Sequence, residues 1–141
     1  MRIFKDYEEE QVGNELFGYV AAGNNRDGLA LRAAGYLMEA SKKAKRILLV
    51  LTDANPMDDQ NIGEGAFYTN KEYTDQPAIE DTAREVQRLK KKGIQVIGIF
   101  MGSAKSREAA REIFDRELVQ IQNINDFAGA VGRVLGEVMT P

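Results

Sequence analysis

The chain has no cysteine and no histidine among its 141 residues. Without cysteine there are no disulfides, and a reducing compartment suits the chain. Without histidine or cysteine there is no Ser-His-Asp or Cys-His nucleophilic machinery, no imidazole proton shuttle and no ordinary structural zinc site. Carboxylates are the strongest metal ligands left. No stretch has the length and apolarity of a signal peptide or a membrane span, so the cytoplasm is the default location. No helix-turn-helix or RNA-binding pattern occurs, and a net charge of −3 argues against a nucleic-acid surface.

What is present fits one α/β domain. At this length, with 43% hydrophobic residues, a single core forms without covalent staples. The organising stretch is Arg46 to Pro56, RILLVLTDANP, in which Ile47 to Leu51 run unbroken as apolar residues. Such a run predicts a parallel strand in the middle of a covered sheet. Thr52 and Asp53 then fall at its carboxyl end, where open α/β sheets place ligand crevices. Asp53 either serves such a crevice or opens a turn ahead of Pro56.

Before this strand, Met1 to Phe4 could end a strand, and the acidic run from Asp6 opens a helix with Val12, Leu16, Phe17 and Val20 at helical spacing. Gly23 to Asn25 break it. Asp27 can cap a second helix carrying Leu29, Ala30, Ala33, Ala34, Leu37 and Met38, closed by Lys42, Lys43 and Lys45. After the strand, Asp53 to Pro77 lacks periodicity and is acidic, with Asp58, Asp59, Glu64, Glu72 and Asp75 against Lys71. Phe67, Tyr68 and Tyr73 punctuate it. Loops this long are functional or mobile, and a cation or basic partner suits this one.

Ala78 to Lys92 has the pattern of an amphipathic helix, with Lys90 to Lys92 and Gly93 as its end. Ile94 to Phe100 is a second buried strand, which makes a right-handed βαβ unit. Gly102 to Ser106 fit no phosphate-loop spacing and form a turn and helix cap. A short helix at Arg107 to Phe114, a short strand at Leu118 to Ile121 and a helix from Ile124 to Met139 complete the chain.

Four segments taken together, NRDGLALR, RILLVLTDANPMDD, EDTAREVQRLKKKGIQVIGIFMG and the final strand and helix, resemble a von Willebrand factor A domain. The bacterial group containing nitric oxide reductase activation proteins and the related cobaltochelatase subunit is most similar. The resemblance implies a three-layer, Rossmann-like, parallel-dominated sheet between helices, with a magnesium site at the carboxyl ends of its strands. In that family the site uses Asp-x-Ser-x-Ser after the first strand, a Thr before a helix and a late Asp. Asp53 matches the late Asp, and Asp27 lies where the Thr is usual. Ala54 replaces the Gly that often follows the late Asp. No Asp-x-Ser-x-Ser occurs, so Asp27 and Asp53 make an incomplete, weak Mg2+ site.

Met1 to Phe4 resembles the family's third strand, so the chain is expected to be a C-terminal portion of the domain. The missing first strand would leave an edge of Arg46 to Thr52 open, which predicts a homo-oligomer through that edge or an N-terminal segment covering it. The implied function is a non-catalytic interaction domain of a cytoplasmic accessory protein. Its partners would be a MoxR-type AAA+ ATPase or a client enzyme in maturation or metal loading. Two alternatives stand beside it. One is a phosphoacceptor or small enzyme using Asp53, for which the acidic pair after a first strand is missing. The other is an inactive folded fragment.

Overall fold

A computed structural model describes residues 25–58 and 73–139. The helix expected from Asp6, the strand at Met1 to Phe4 and the centre of the acidic loop lie outside the described residues. Helix α1 (Asp27–Glu39) leads into strand β1 (Arg46–Thr52), followed by α2 (Asp75–Lys91), β2 (Ile94–Phe100), α3 (Arg107–Phe114), β3 (Leu118–Gln120) and α4 (Phe127–Met139). The strands form a parallel sheet in the order β1-β2-β3. Arg46 pairs with Ile94 and Thr52 with Phe100, and Gly98 to Phe100 pair with Leu118 to Gln120. Among the described residues, four α-helices flank three parallel strands, a Rossmann-like α/β arrangement.

Alternation along β2 divides the core between two layers. Ile94, Val96 and Phe100 join Leu31, Val86, Leu89, Ala110, Ile113 and Phe114 on the side of α1, α2 and α3. Ile99 turns to the opposite face, where Ile121 and Ala130 meet it with Phe127 and Val131 of α4. Gly98 belongs to the first face. The Phe114 ring lies on it so closely that an added Cβ would be 2.5 Å from the ring.

β2, fully buried except at Gln95, is the central strand. β1, expected in the middle, takes the edge of the described sheet instead. Its apolar residues are half-buried, with Leu51 48% exposed. Its unbroken apolar run fits a strand packed against helices, with Leu48 and Val50 lying against the core shared by α1, α2 and α3.

Helix α2 begins at Asp75, three residues ahead of the sequence expectation, because Pro77 falls in its first turn, where a missing N–H breaks no helical bond. The expected cap before α3 is present: Ser103 Oγ accepts from Ser106 N at 3.4 Å. The final helix starts with a 3-10 turn over Ile124–Asp126, capped by the Asn123 side chain.

Candidate functional site

The carboxyl end of β1 lies beside that of β2, and the chain that follows it pairs through Met57 with Asn25, just ahead of α1. Asp53 follows β1 directly and is exposed; its Oδ1 accepts from Asn55 N at 3.2 Å. Thr52 Oγ1 accepts from Ala54 N at 2.9 Å, and Met101 N donates to Thr52 O at 3.0 Å. The Asn55 and Ala54 bonds turn the chain sharply after the strand, and the Met101 bond extends the β1–β2 ladder. Ala54 is buried and has φ of 53°, the left-handed region that glycine enters freely and alanine enters at a cost of about 1–2 kcal/mol. The position where the sequence departs from Gly thus keeps a glycine-like backbone.

Asp27 is the first residue of α1, preceded at the cap position by Arg26, whose side chain makes no cap bond. A carboxylate in the first turn suits the helix dipole. Asp27 Oδ1 accepts from Asn25 Nδ2 at 2.8 Å. Burial pushes the Asp27 carboxyl above its ordinary value; the Asn25 amide opposes this, and the negative charge of Asp53 adds to it. Of these three influences on Asp27, that of Asp53 is the smallest. Among the described residues, no group of three or more acidic, His or Cys side chains could hold a metal ion. Two carboxylates with water are a donor set compatible with magnesium, which keeps several waters and takes further oxygens from a partner. In this protein Asp27 and Asp53 would hold such an ion, and its positive charge would relieve their repulsion.

A second group of side chains, missed in the sequence, fixes α1 where Asp27 needs it. Tyr73, 8% exposed, donates to Asp81 Oδ2 at 3.0 Å and lies 3.3 Å from Gly28 N. Its hydroxyl also meets Thr82 Oγ1 at 3.4 Å. Burial, partly offset by Thr82 and Gly28, raises the Tyr73 phenol above its ordinary value. Arg26 lies over the Tyr73 ring, 5.7 Å from its centre, and its Nε is paired with Asp58. Asp58 and Tyr73 in turn exchange backbone hydrogen bonds of 2.7 and 3.2 Å, and Asn25 does the same with Met57. The chain before α1 and the two ends of the acidic loop are therefore clasped together. The sequence signal for Tyr73 was an aromatic beside the start of a helix, too common to single out.

Farther along, Glu85 of α2, 6% exposed, joins the helices. Its Oε1 accepts from Arg32 Nη2 at 2.8 Å and Nε at 3.1 Å, and its Oε2 from Arg88 Nε at 2.6 Å. Burial alone would raise the Glu85 carboxyl, but the two guanidinium groups outweigh it and hold it below its ordinary value. Arg88 and Lys92 also reach Glu39 at the end of α1. Two of the α2-terminal lysines serve such bridges, Lys90 pairing with Glu117 at 2.6 Å.

The geometry defines an α/β-layer protein with a carboxylate pair at the strand ends. No protein-family model and no curated protein matches the chain. The crystal structure of the pilus adhesin SpaC from Lactobacillus rhamnosus GG is similar over 89% of this chain, with a TM-score of 0.58 and 17% sequence identity. The match spans 20% of the adhesin's length. At that identity the likeness bears on fold alone. Among the described residues, no helix is long and apolar enough to cross a membrane.

Proposed function

We propose that this chain is a non-catalytic interaction domain of the von Willebrand factor A type. In this reading Asp27 and Asp53 hold a weakly bound magnesium ion, and oxygens from a protein partner complete its shell. The observation that supports this most is the placement of Asp53 at the carboxyl end of β1 and of Asp27 at the start of α1, which the Asn25–Met57 backbone bonds tie to the chain just after Asp53. Exposed Leu29, Leu51, Met57 and Met101 lie next to these elements and would give a partner apolar contact around the polar centre. The similar fold in a pilus adhesin is compatible with a binding role and adds nothing about a ligand. The resemblance to nitric oxide reductase activation proteins extends the proposal to a cytoplasmic accessory role beside a MoxR-type AAA+ ATPase, in maturation or metal loading of a client enzyme.

The test is manganese binding followed by EPR, with manganese replacing magnesium. The intact chain should bind saturably, and Asp53→Ala and Asp27→Asn should each lose most of that binding. Equal manganese binding by all three proteins would remove Asp27 and Asp53 from the site.

A further inference from the structure

Strand β1 bonds to β2 on one side, and among the described residues nothing pairs with its other edge. Alongside that edge runs an apolar groove of about 290 Å³. Four successive residues of β1, Leu48 to Leu51, line it with Ala30, Leu31 and Ala34 of α1. Thr82 and Phe114 also line it, so the groove opens beside β1 on the face that α1, α2 and α3 cover. Leu37, 41% exposed, continues the Ala30–Ala34 row one turn on. Natural edge strands are usually blunted by a central lysine, a proline or a bulge; β1 has none within Ile47 to Leu51.

The charges at the two ends of β1 select the occupant. At its amino end stand Lys42, Lys43, Lys45 and Arg46; at its carboxyl end stand Asp53 and, from α1, Asp27. A strand laid parallel to β1 with the same polarity of charge would set like beside like. The same strand laid antiparallel sets basic beside acidic at both ends. The sequence that meets this requirement is β1 itself.

We infer that β1 pairs antiparallel with β1 of a second copy of this chain, about a two-fold axis at Leu49. In this register Ile47 faces Leu51, Arg46 faces Thr52 and Lys45 faces Asp53 of the other copy. The contact is isologous and closes as a dimer, which joins two three-stranded sheets into one. Lys45 Nζ, now 3.1 Å from Val138 O, is exposed and binds only a carbonyl, so its charge can turn to Asp53 of the other copy, while the half-buried Arg46, whose Nη2 lies 2.7 Å from Lys92 O, faces Thr52. The inference goes beyond the metal reading and does not depend on it.

Sedimentation in EDTA tests it without any metal. The intact chain should show a concentration-dependent monomer–dimer equilibrium that weakens with added salt. Lys45→Glu and Asp53→Lys should each raise the dimer dissociation constant about tenfold, since each alters two symmetry-related contacts. The double variant should recover most of the loss, which a simple folding defect would not do. In this cysteine-free chain, Leu49→Cys alone should cross-link to itself on oxidation, because directly opposed Cβ atoms lie about 4.5–5.5 Å apart. Ile47→Cys should cross-link with Leu51→Cys only when the two are mixed. A chain that stays monomeric at every concentration overturns the inference, and residues 1–24 or a different protein would then be the occupant of the edge. A dimer whose double charge variant shows no recovery, or that cross-links in another register, also overturns it.

Discussion

The glycines on the described helices give a test in which one chemical change, Gly to Ala, should act with opposite signs. In an open helix interior the change stabilises by about 0.5–1 kcal/mol, because alanine loses less backbone freedom on folding. Gly132 in α4 has nothing within 4 Å of an added Cβ, so Gly132→Ala should gain that full amount. Gly35 in α1 faces Leu89, where the added carbon would lie 2.4 Å from Cδ2 of a side chain that is fully buried. Overpacking of this kind costs about 1–3 kcal/mol, which outweighs the propensity gain and leaves a net loss of about 1 kcal/mol or more. Gly28 is subtler. Its Cβ would fall 2.1 Å from Asp81 Oδ2, and the carboxylate must swing away from a Tyr73 bond of 3.0 Å. A partly buried hydrogen bond to a charged group is worth about 1.5 kcal/mol, so the net loss is again about 1 kcal/mol. Thermal unfolding should place Gly132→Ala above the parent and Gly28→Ala and Gly35→Ala below it, each by about 2–5 °C. A Gly28→Ala protein as stabilised as Gly132→Ala would refute the claim that α1 is held against α2 through Tyr73 and Asp81.

Asp27→Asn should stabilise the metal-free chain at neutral pH. A carboxyl whose folded value is raised stabilises the fold below the ordinary carboxylate range and loses that contribution as pH rises through the folded value, so the thermal advantage of Asn should vanish in acid. Glu85 has the opposite sign: its lowered carboxyl contributes above the ordinary range and loses the contribution as pH falls through the folded value. Glu85→Ala, which strands Arg32 and Arg88, should cost about 2 kcal/mol at neutral pH after discounting for the partial exposure of both arginines, and the loss should shrink in acid; urea unfolding at both pH values checks this. Phe114→Ala should cost about 3–5 kcal/mol by the same assay, since its ring fills the space above Gly98 in the core.

Apolar runs and termination signals made the described strands and helices legible in the sequence. The residues Arg46 to Thr52, Ile94 to Phe100 and Arg107 to Phe114 declare themselves because their patterns are local and bounded by Asp53, Gly102 and the turn at Asp115. Asp27 and Asp53 were legible as candidates only through their places beside those elements and the family resemblance. Their proximity, and the clasp of Tyr73, Arg26 and Asp58, depend on how α1 docks against α2. That docking is set by Gly28, Leu31 and Gly35, spaced along one face of α1, and by the Arg32–Glu85 bridge between the helices. A stripe of small residues and one charge pair carry little signal until the partner helix is known. An open edge at Arg46 to Thr52 was expected from the family resemblance and not from the strand's own apolar run, and β1 lies at the edge of the described sheet. A strand shielded by helices reads as apolar whether or not a second strand lies beside it.

Edge and carboxylate site are joined by the short step from Leu51 to Asp53. An ion held by Asp27 and Asp53 and the Lys45 ammonium of a second copy would both answer the negative charge of Asp53, which adds to the burial that raises the Asp27 carboxyl. Both occupants also use the apolar side chain next to that charge, since Leu51 lines the groove and stands two residues from Asp53. A protein partner that reached the ion from the strand ends would therefore meet a surface already partly claimed by the dimer. If both proposals hold, self-association through β1 and engagement of a partner at Asp27 and Asp53 would compete for the surface around Leu51 and Asp53.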